Sequence, residues 1–169
     1  TVLRGGQLLN FTAWTTPSLT ISNGWAIFPT GLTLTVTGDL SAWGSLAWVT
    51  FTNPVDITVG GSLRVTNSAT LSVYAPPTNG VSDYGSRVRI ADSLVIASGS
   101  ALYPYSDPTN GGSVLFCMSN LCVAAGGAID ASGKGAAGGT SGHGYGPGRG
   151  QYNASGGGYG GKGNGAATV

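Results

Sequence analysis

The feature of this sequence that most restricts its fold is a frame written five times: apolar, any, apolar, any three residues, apolar, any, apolar. The copies are Leu19, Ile21, Trp25, Ile27; Leu34, Val36, Leu40, Ala42; Ile57, Val59, Leu63, Val65; Val88, Ile90, Leu94, Ile96; and Leu115, Cys117, Leu121, Val123. Period-two alternation marks a strand with one buried face, and each copy interrupts it with three turn-prone residues such as Thr37-Gly38-Asp39 or Gly60-Gly61-Ser62. Each copy is thus expected to be two short strands meeting at a corner. In the last three copies an apolar residue returns after the central leucine, at Leu71, Leu102 and Ile129, which adds a third strand.

The central residues Trp25, Leu40, Leu63, Leu94 and Leu121 are 15, 23, 31 and 27 residues apart, and the extra length falls after the third strand, at 76–86 and 104–112. A solenoid keeps its strands and varies one loop in this way. Stacked turns of chain place equivalent side chains about 4.8 Å apart, so Leu40, Leu63, Leu94 and Leu121 are expected to form an interior ladder. The predicted architecture is all-β: a parallel β-helix of about four coils. The 15-residue step is too short for three strands, so residues 1–33 read as an N-terminal cap or edge strands, 34–132 as the β-helical core and 133–169 as a glycine-rich segment. Trp14, Trp25, Trp43 and Trp48 all lie in the first 50 residues, where they are expected to close one end of the core. Exposed, they would instead contact another subunit, with Trp14 and Trp25 as the candidate assembly contacts.

Composition agrees with strands. There are 18 Thr, 18 Ser, 9 Asn and 31 Gly, no Glu, and only 8% charged residues, whereas helices favour Ala, Leu, Glu and Lys on their solvent faces. Hydrophobic residues at 41% exclude disorder of the whole chain, and a net charge of +1 offers no footprint for nucleic acid. Apolar runs such as 114–117 are far too short for a membrane-spanning helix, so no membrane insertion is expected. Position 1 is Thr with no charged-then-apolar leader behind it, which reads as a chain processed or cut from something longer. Solubility through hydroxyls suits an extracellular or cell-surface protein, and Asn10-Phe11-Thr12 and Asn153-Ala154-Ser155 are candidate N-glycosylation acceptors, at Asn10 and Asn153.

The glycine-rich segment holds 16 glycines between positions 133 and 165, with Tyr145, Tyr152 and Tyr159 seven residues apart. Lacking side chains, it makes no apolar core of its own, so it is either a linker or an extended structure whose bare backbone packs closely. The regular tyrosines favour the ordered role and make Tyr145, Tyr152 and Tyr159 candidate assembly contacts. The stretches "ITVGGSLRVTNSATLSV", "VRIADSLVIASGSALYP" and "LFCMSNLCVAAGGAIDASGKG", punctuated by "GHGYGPGRG" and "GGGYGGKGNG", resemble the coils of large extracellular β-helical adhesins and surface-filament proteins. The likeness covers about residues 34–165 and implies a structural or adhesive role. The chain differs from those proteins in having few coils and no long repetitive array.

Candidate chemistry is sparse. The stretch 133–138 matches a dinucleotide pattern and 156–162 nearly spells a phosphate loop, but no helix follows either one to bind phosphate at its N-terminus. The aspartates Asp39, Asp56, Asp83, Asp92, Asp107 and Asp130 read as turn residues, with Asp39 and Asp92 at the same corner. Arg87 and Arg89, with Arg64 on the preceding turn of chain, are expected to face outward as a small basic stripe. Cys117, on the inward phase, and Cys122, on the outward one, bracket a corner; they form either a local disulfide or two free thiols, one of them buried. His143 is the single histidine, too few for a zinc finger. No catalytic residue, cofactor or metal is assigned. The expected function is a structural subunit of an extracellular fibre or adhesive appendage that assembles head-to-tail into a homo-oligomer or polymer. The alternative is a carbohydrate-binding or glycan-cleaving module that takes glycans on loop residues Tyr84, Tyr103 and Tyr105.

Overall fold

The computed structural model describes residues 1–77, 84–109 and 112–137, and among these there are strands and turns but no helix. The strands are β1 (Val2–Arg4), β2 (Gln7–Leu8), β3 (Ala13–Thr16), β4 (Leu19–Ser22), β5 (Trp25–Phe28), β6 (Leu32–Val36), β7 (Leu40–Trp43) and β8 (Trp48–Phe51). They continue as β9 (Val55–Val59), β10 (Leu63–Thr66), β11 (Thr70–Tyr74), β12 (Tyr84–Ile96), β13 (Ala101–Tyr105), β14 (Ser113–Val123) and β15 (Ala128–Ile129). All of their pairings are parallel. From β1 to β9, each strand hydrogen-bonds to the strand three places later in the chain.

Two sheets result. A nine-stranded sheet contains the row β1-β4-β7-β10 and the row β3-β6-β9, joined through β12, whose first half pairs with β9 and whose second half pairs with β10. The six-stranded sheet runs β15-β13-β11-β8-β5-β2. The expectation of an all-β chain of parallel strands holds, and the arrangement is compatible with a parallel β-helix. Strands that begin before residue 33 belong to the same two sheets as the later ones.

The interior is built as ladders. Leu19, Leu40, Leu63, Leu94 and Leu121 are successive register partners, and the first four are buried. Leu34, Ile57 and Val88 form a second ladder, and Ala26, Val49, Leu71 and Leu102 a third; all are buried. Each fully buried Leu, Ile or Val of these ladders contributes about 1.5–3 kcal/mol by leaving water. Aromatic rings fill the first part of the core: Phe11 meets Trp14 edge-on at 5.3 Å, Trp14 lies over Phe28 at 6.4 Å, and Phe28 stacks on Phe51 at 4.5 Å.

Three sequence expectations change. Leu19 and Ile21 pair with Leu40 and Ala42, not with Leu34 and Val36, and Leu3 pairs with Ile21 in turn, so the 15-residue step disappears and the repeat already runs from β1. Trp25 and Ile27 then point outward, because Ala26 and Phe28 are the residues that stack beneath Val49 and Phe51. In β14 the inward residues are Phe116 and Met118, which follow Val88 and Ile90, so Cys117 takes the outward phase beside Arg89. The register shift between Ile90 and Ser93 is the cause: two residues turn that corner in β12 but one, Ser119, does so in β14.

The corners have their own ladder. After the second strand of each repeat the chain takes a left-handed residue: Asn23, Gly44, then Asn67 and Ser68, then Gly99, then Gly126, all with positive φ. At the preceding corner, backbones of successive repeats nearly touch, with the Gly60 amide on the Val36 carbonyl at 2.8 Å and the Gly61 amide on the Gly38 carbonyl at 3.0 Å. A Cβ on Gly60 would run into the Thr37 backbone carbonyl. Gly60→Ala is expected to lower stability by about 1–3 kcal/mol in urea melts, since backbone cannot step aside. Gly135, with open space where its Cβ would be, is the control, and Gly135→Ala should stay within about 0.5 kcal/mol.

Candidate functional site

Both sheets stop at strands that have a partner on one side only among the described strands. At one end these are β1, β2 and β3; at the other, β14 and β15. Such rows of unpaired backbone donors and acceptors are templates for another parallel strand. The side chains there are apolar. Leu121 is in register with Leu94, yet Leu121 is 55% exposed where Leu94 is 1%, because no described strand stacks beyond it. Val123 and Ile129, which close two other ladders, are exposed as well. At the opposite end Leu3, Leu9, Phe11 and Trp14 are half-buried against the core, and Val2 and Leu8 are exposed.

Of the candidate assembly contacts, Trp14 is half-buried between Phe11 and Phe28, whereas Trp25 is exposed. Trp25 and Trp48 are register partners on the outer face of the six-stranded sheet and, with Ile27 and Thr50, line an apolar groove of about 270 Å³. Trp43 and Leu46 are exposed too. The Trp25 indole lies over Gly6, where a Cβ would strike the ring. Asn10 is exposed, as a glycosylation acceptor must be. Cys117 and Cys122 are both exposed free thiols. Tyr145, Tyr152, Tyr159, Asn153, His143 and Asp83 lie outside the described residues.

The outer polar face carries two separate ion clusters rather than one basic stripe. Arg87 Nη2 donates to Asp56 Oδ2 at 2.8 Å, and Arg89 Nη2 donates to Asp56 Oδ1 at 2.9 Å and to Thr58 Oγ1 at 3.1 Å. The hydrogen bond and then the charge of Asp56 hold the Arg87 pKa above its ordinary value. Arg64 stands elsewhere, on β10, with its Nε 3.6 Å from Asp39. Asp39 and Asp92 meet at one corner through the intervening Ser62, whose amide donates to Asp39 Oδ1 (2.8 Å) and whose hydroxyl donates to Asp92 Oδ2 (2.9 Å). Their bonds tie three repeats together, the capping role that turn aspartates usually fill.

Beside Asp56 is an open groove of about 400 Å³ where β6, β9 and β12 begin; Gly31, Thr33, Pro54, Asp56, Tyr84 and Arg87 line it. The structure separates Tyr84 from the other two loop tyrosines. Tyr105 stacks on Tyr74 at 4.2 Å, and the Lys134 ammonium sits 4.6 Å from the Tyr103 ring centre and 5.3 Å from that of Tyr105. Lys134 is also 3.9 Å from Asp130, whose pKa is lowered first by the Ser132 amide that donates to it.

Burial, and then the hydrogen bond and charge of Tyr105, raise the Tyr74 pKa above its ordinary 10.0. A folded-state pKa raised in this way favours the protonated phenol, so its contribution to stability is complete below pH 10 and is lost as the pH rises through the folded value. Absorbance titration should therefore show a late-ionising tyrosine, and Tyr105→Phe should move it down.

Among the described residues no three His, Cys, Asp or Glu side chains gather in a way that could hold a metal ion, and no helix is long and apolar enough to cross a membrane. No family model matches the chain, and no curated protein and no solved structure matches it.

Proposed function

We propose that the chain winds as a parallel β-helix and serves as a structural subunit of an extracellular fibre or adhesive surface appendage, adding copies head-to-tail. The observation that carries this reading is the match between the two open ends. One end offers β14 and β15 and the other β1, β2 and β3, all parallel. In the proposed stacking the second half of β14 faces β1 of the next copy and β15 faces β2. Val123 would then meet the next copy's Leu3, with Leu121, Ile129 and Leu9 beside them, which buries apolar surface and unpaired backbone together. Such a contact is heterologous and does not close on itself, so it propagates. Exposed threonines and serines in place of charges, together with the exposed sequon at Asn10, support a place outside the cell. Sedimentation velocity across a wide concentration range tests assembly: a growing series of oligomers is expected, and a single monomer boundary at every concentration would overturn it.

A further inference from the structure

We propose that the groove beside Asp56 is a saccharide-binding site that takes a pyranose ring of an extended glycan. Its cavity of about 400 Å³ falls in the usual range for small-ligand sites, roughly 300–1,000 Å³. The lining has the two-sided chemistry a sugar ring requires. Tyr84 and Pro54 supply apolar surface for the C–H face of the ring, and Thr33, Asp56 and Arg87 supply hydroxyl, carboxylate and guanidinium groups for its hydroxyls.

The polar groups are fixed before any ligand arrives. Thr33, Asp56 and Arg87 are register partners on three adjacent strands, so the sheet sets their spacing. Asp56 is held by two arginines, one on each oxygen, and a carboxylate with four lone-pair sites keeps acceptor capacity beyond those two bonds. Arg87 is about a third exposed (35%), and its guanidinium carries five donor hydrogens, more than its bond to Asp56 engages, so donors and acceptors stand side by side as neighbouring sugar hydroxyls require.

Two arginines on one carboxylate leave the groove with a surplus positive charge, so phosphate competition is what distinguishes a sugar from a free anion. Among the described residues the groove holds one carboxylate, whereas glycosidic cleavage uses two facing the scissile bond, so the proposal is one of binding. This site lies on the outer face and not at either open end, so it stands or falls independently of assembly.

The test is affinity electrophoresis of the full chain through native gels containing, in separate lanes, neutral glucans, xylans, mannans or polyuronates, with inorganic phosphate as a competitor. Retardation by at least one polysaccharide is expected, unrelieved by phosphate. Tyr84→Ala and Arg87→Gln should each weaken it about tenfold, as expected for loss of a stacking surface or of charged hydrogen bonds. Tyr103→Ala, on the other sheet, should leave it unchanged. Retardation by neutral polymers assigns the ring hydroxyls as the determinant; retardation by polyuronates alone assigns a sugar carboxylate paired with the surplus arginine. Thermal melts identify variants that fail to fold, and Thr33→Ala, at an exposed position, then supplies the milder probe. No retardation by any polymer, or retardation kept in Tyr84→Ala and Arg87→Gln, would overturn the proposal.

Discussion

Leu121→Asp is expected to abolish assembly while leaving the isolated subunit as stable as before. Leu121 is exposed at the end of its ladder, so in the single chain the aspartate stays in water and the change in stability should be within about 0.5 kcal/mol. Between stacked copies the same carboxylate would replace an apolar side chain in the contact beside Leu3 and lose water, and burying a charge costs several kcal/mol. Leu3→Asp at the opposite end is expected to block the contact too, because Leu3 continues the inward ladder of Ile21 and Ala42 at the β1 edge. Sedimentation profiles of the two variants should show only the single-chain species at concentrations where the parent chain assembles. Mixing them should not rescue long assemblies, because in the mixture every copy has one blocked end. Variants that polymerise like the parent would place the contact elsewhere on the surface.

Phe51→Ala should cost about 3–5 kcal/mol of stability, the loss expected when a buried phenylalanine leaves a cavity that its surroundings cannot close. Phe51 is fully buried and stacks on Phe28 with an interplanar angle of 23°, so the substitution removes both the buried area and a ring pair. Strands on both sides hold the backbone in register, with β8 paired to β5 and β11, which limits collapse into the space. Trp48→Ala removes a larger side chain from the same strand, but an exposed one, and should cost far less. Chemical denaturation of the three proteins checks both values. A loss for Phe51→Ala below that of Trp48→Ala would mean that the inward and outward faces of β8 have been exchanged.

That assignment of faces is where sequence reasoning succeeded in part. Leu40, Leu63 and Leu94 were legible as a ladder because Ser41 and Arg64 follow the first two as polar residues and because the corner before each has the same length. The four residues Trp25, Ala26, Ile27 and Phe28 are all apolar, so alternation alone does not say which pair is inward. Stacking under Val49 and Phe51 decides it in favour of Ala26 and Phe28. The run from Val114 to Met118 has the same ambiguity, resolved only by a corner one residue shorter than that of the repeat before. A signal that would have placed the first repeat was present: Asn23, Gly44, Asn67, Gly99 and Gly126 recur one residue past the second strand or within four of its end, and each has the left-handed backbone that Asn and Gly tolerate best.

The polar sites were less legible because they join distant repeats. Asp56 and its two arginines are 31 and 33 residues apart, a separation that carries meaning only once the repeat length is known. Arg64 looked like their companion from its place in the frame, but β10 and the first half of β12 lie in different rows of the sheet, so it pairs with Asp39 instead. The exposure of Leu121 is not written in its own repeat at all, since it depends on what stacks above it.

The most direct test of the central claim is electron microscopy of the full chain at rising concentration, with diffraction analysis of any ordered material. Head-to-tail stacking of parallel strands predicts unbranched filaments, a regular axial subunit repeat and a strand spacing of about 4.8 Å along the filament axis. Dispersed single-chain particles at every concentration, or filaments whose strands run along the axis instead of across it, would contradict it.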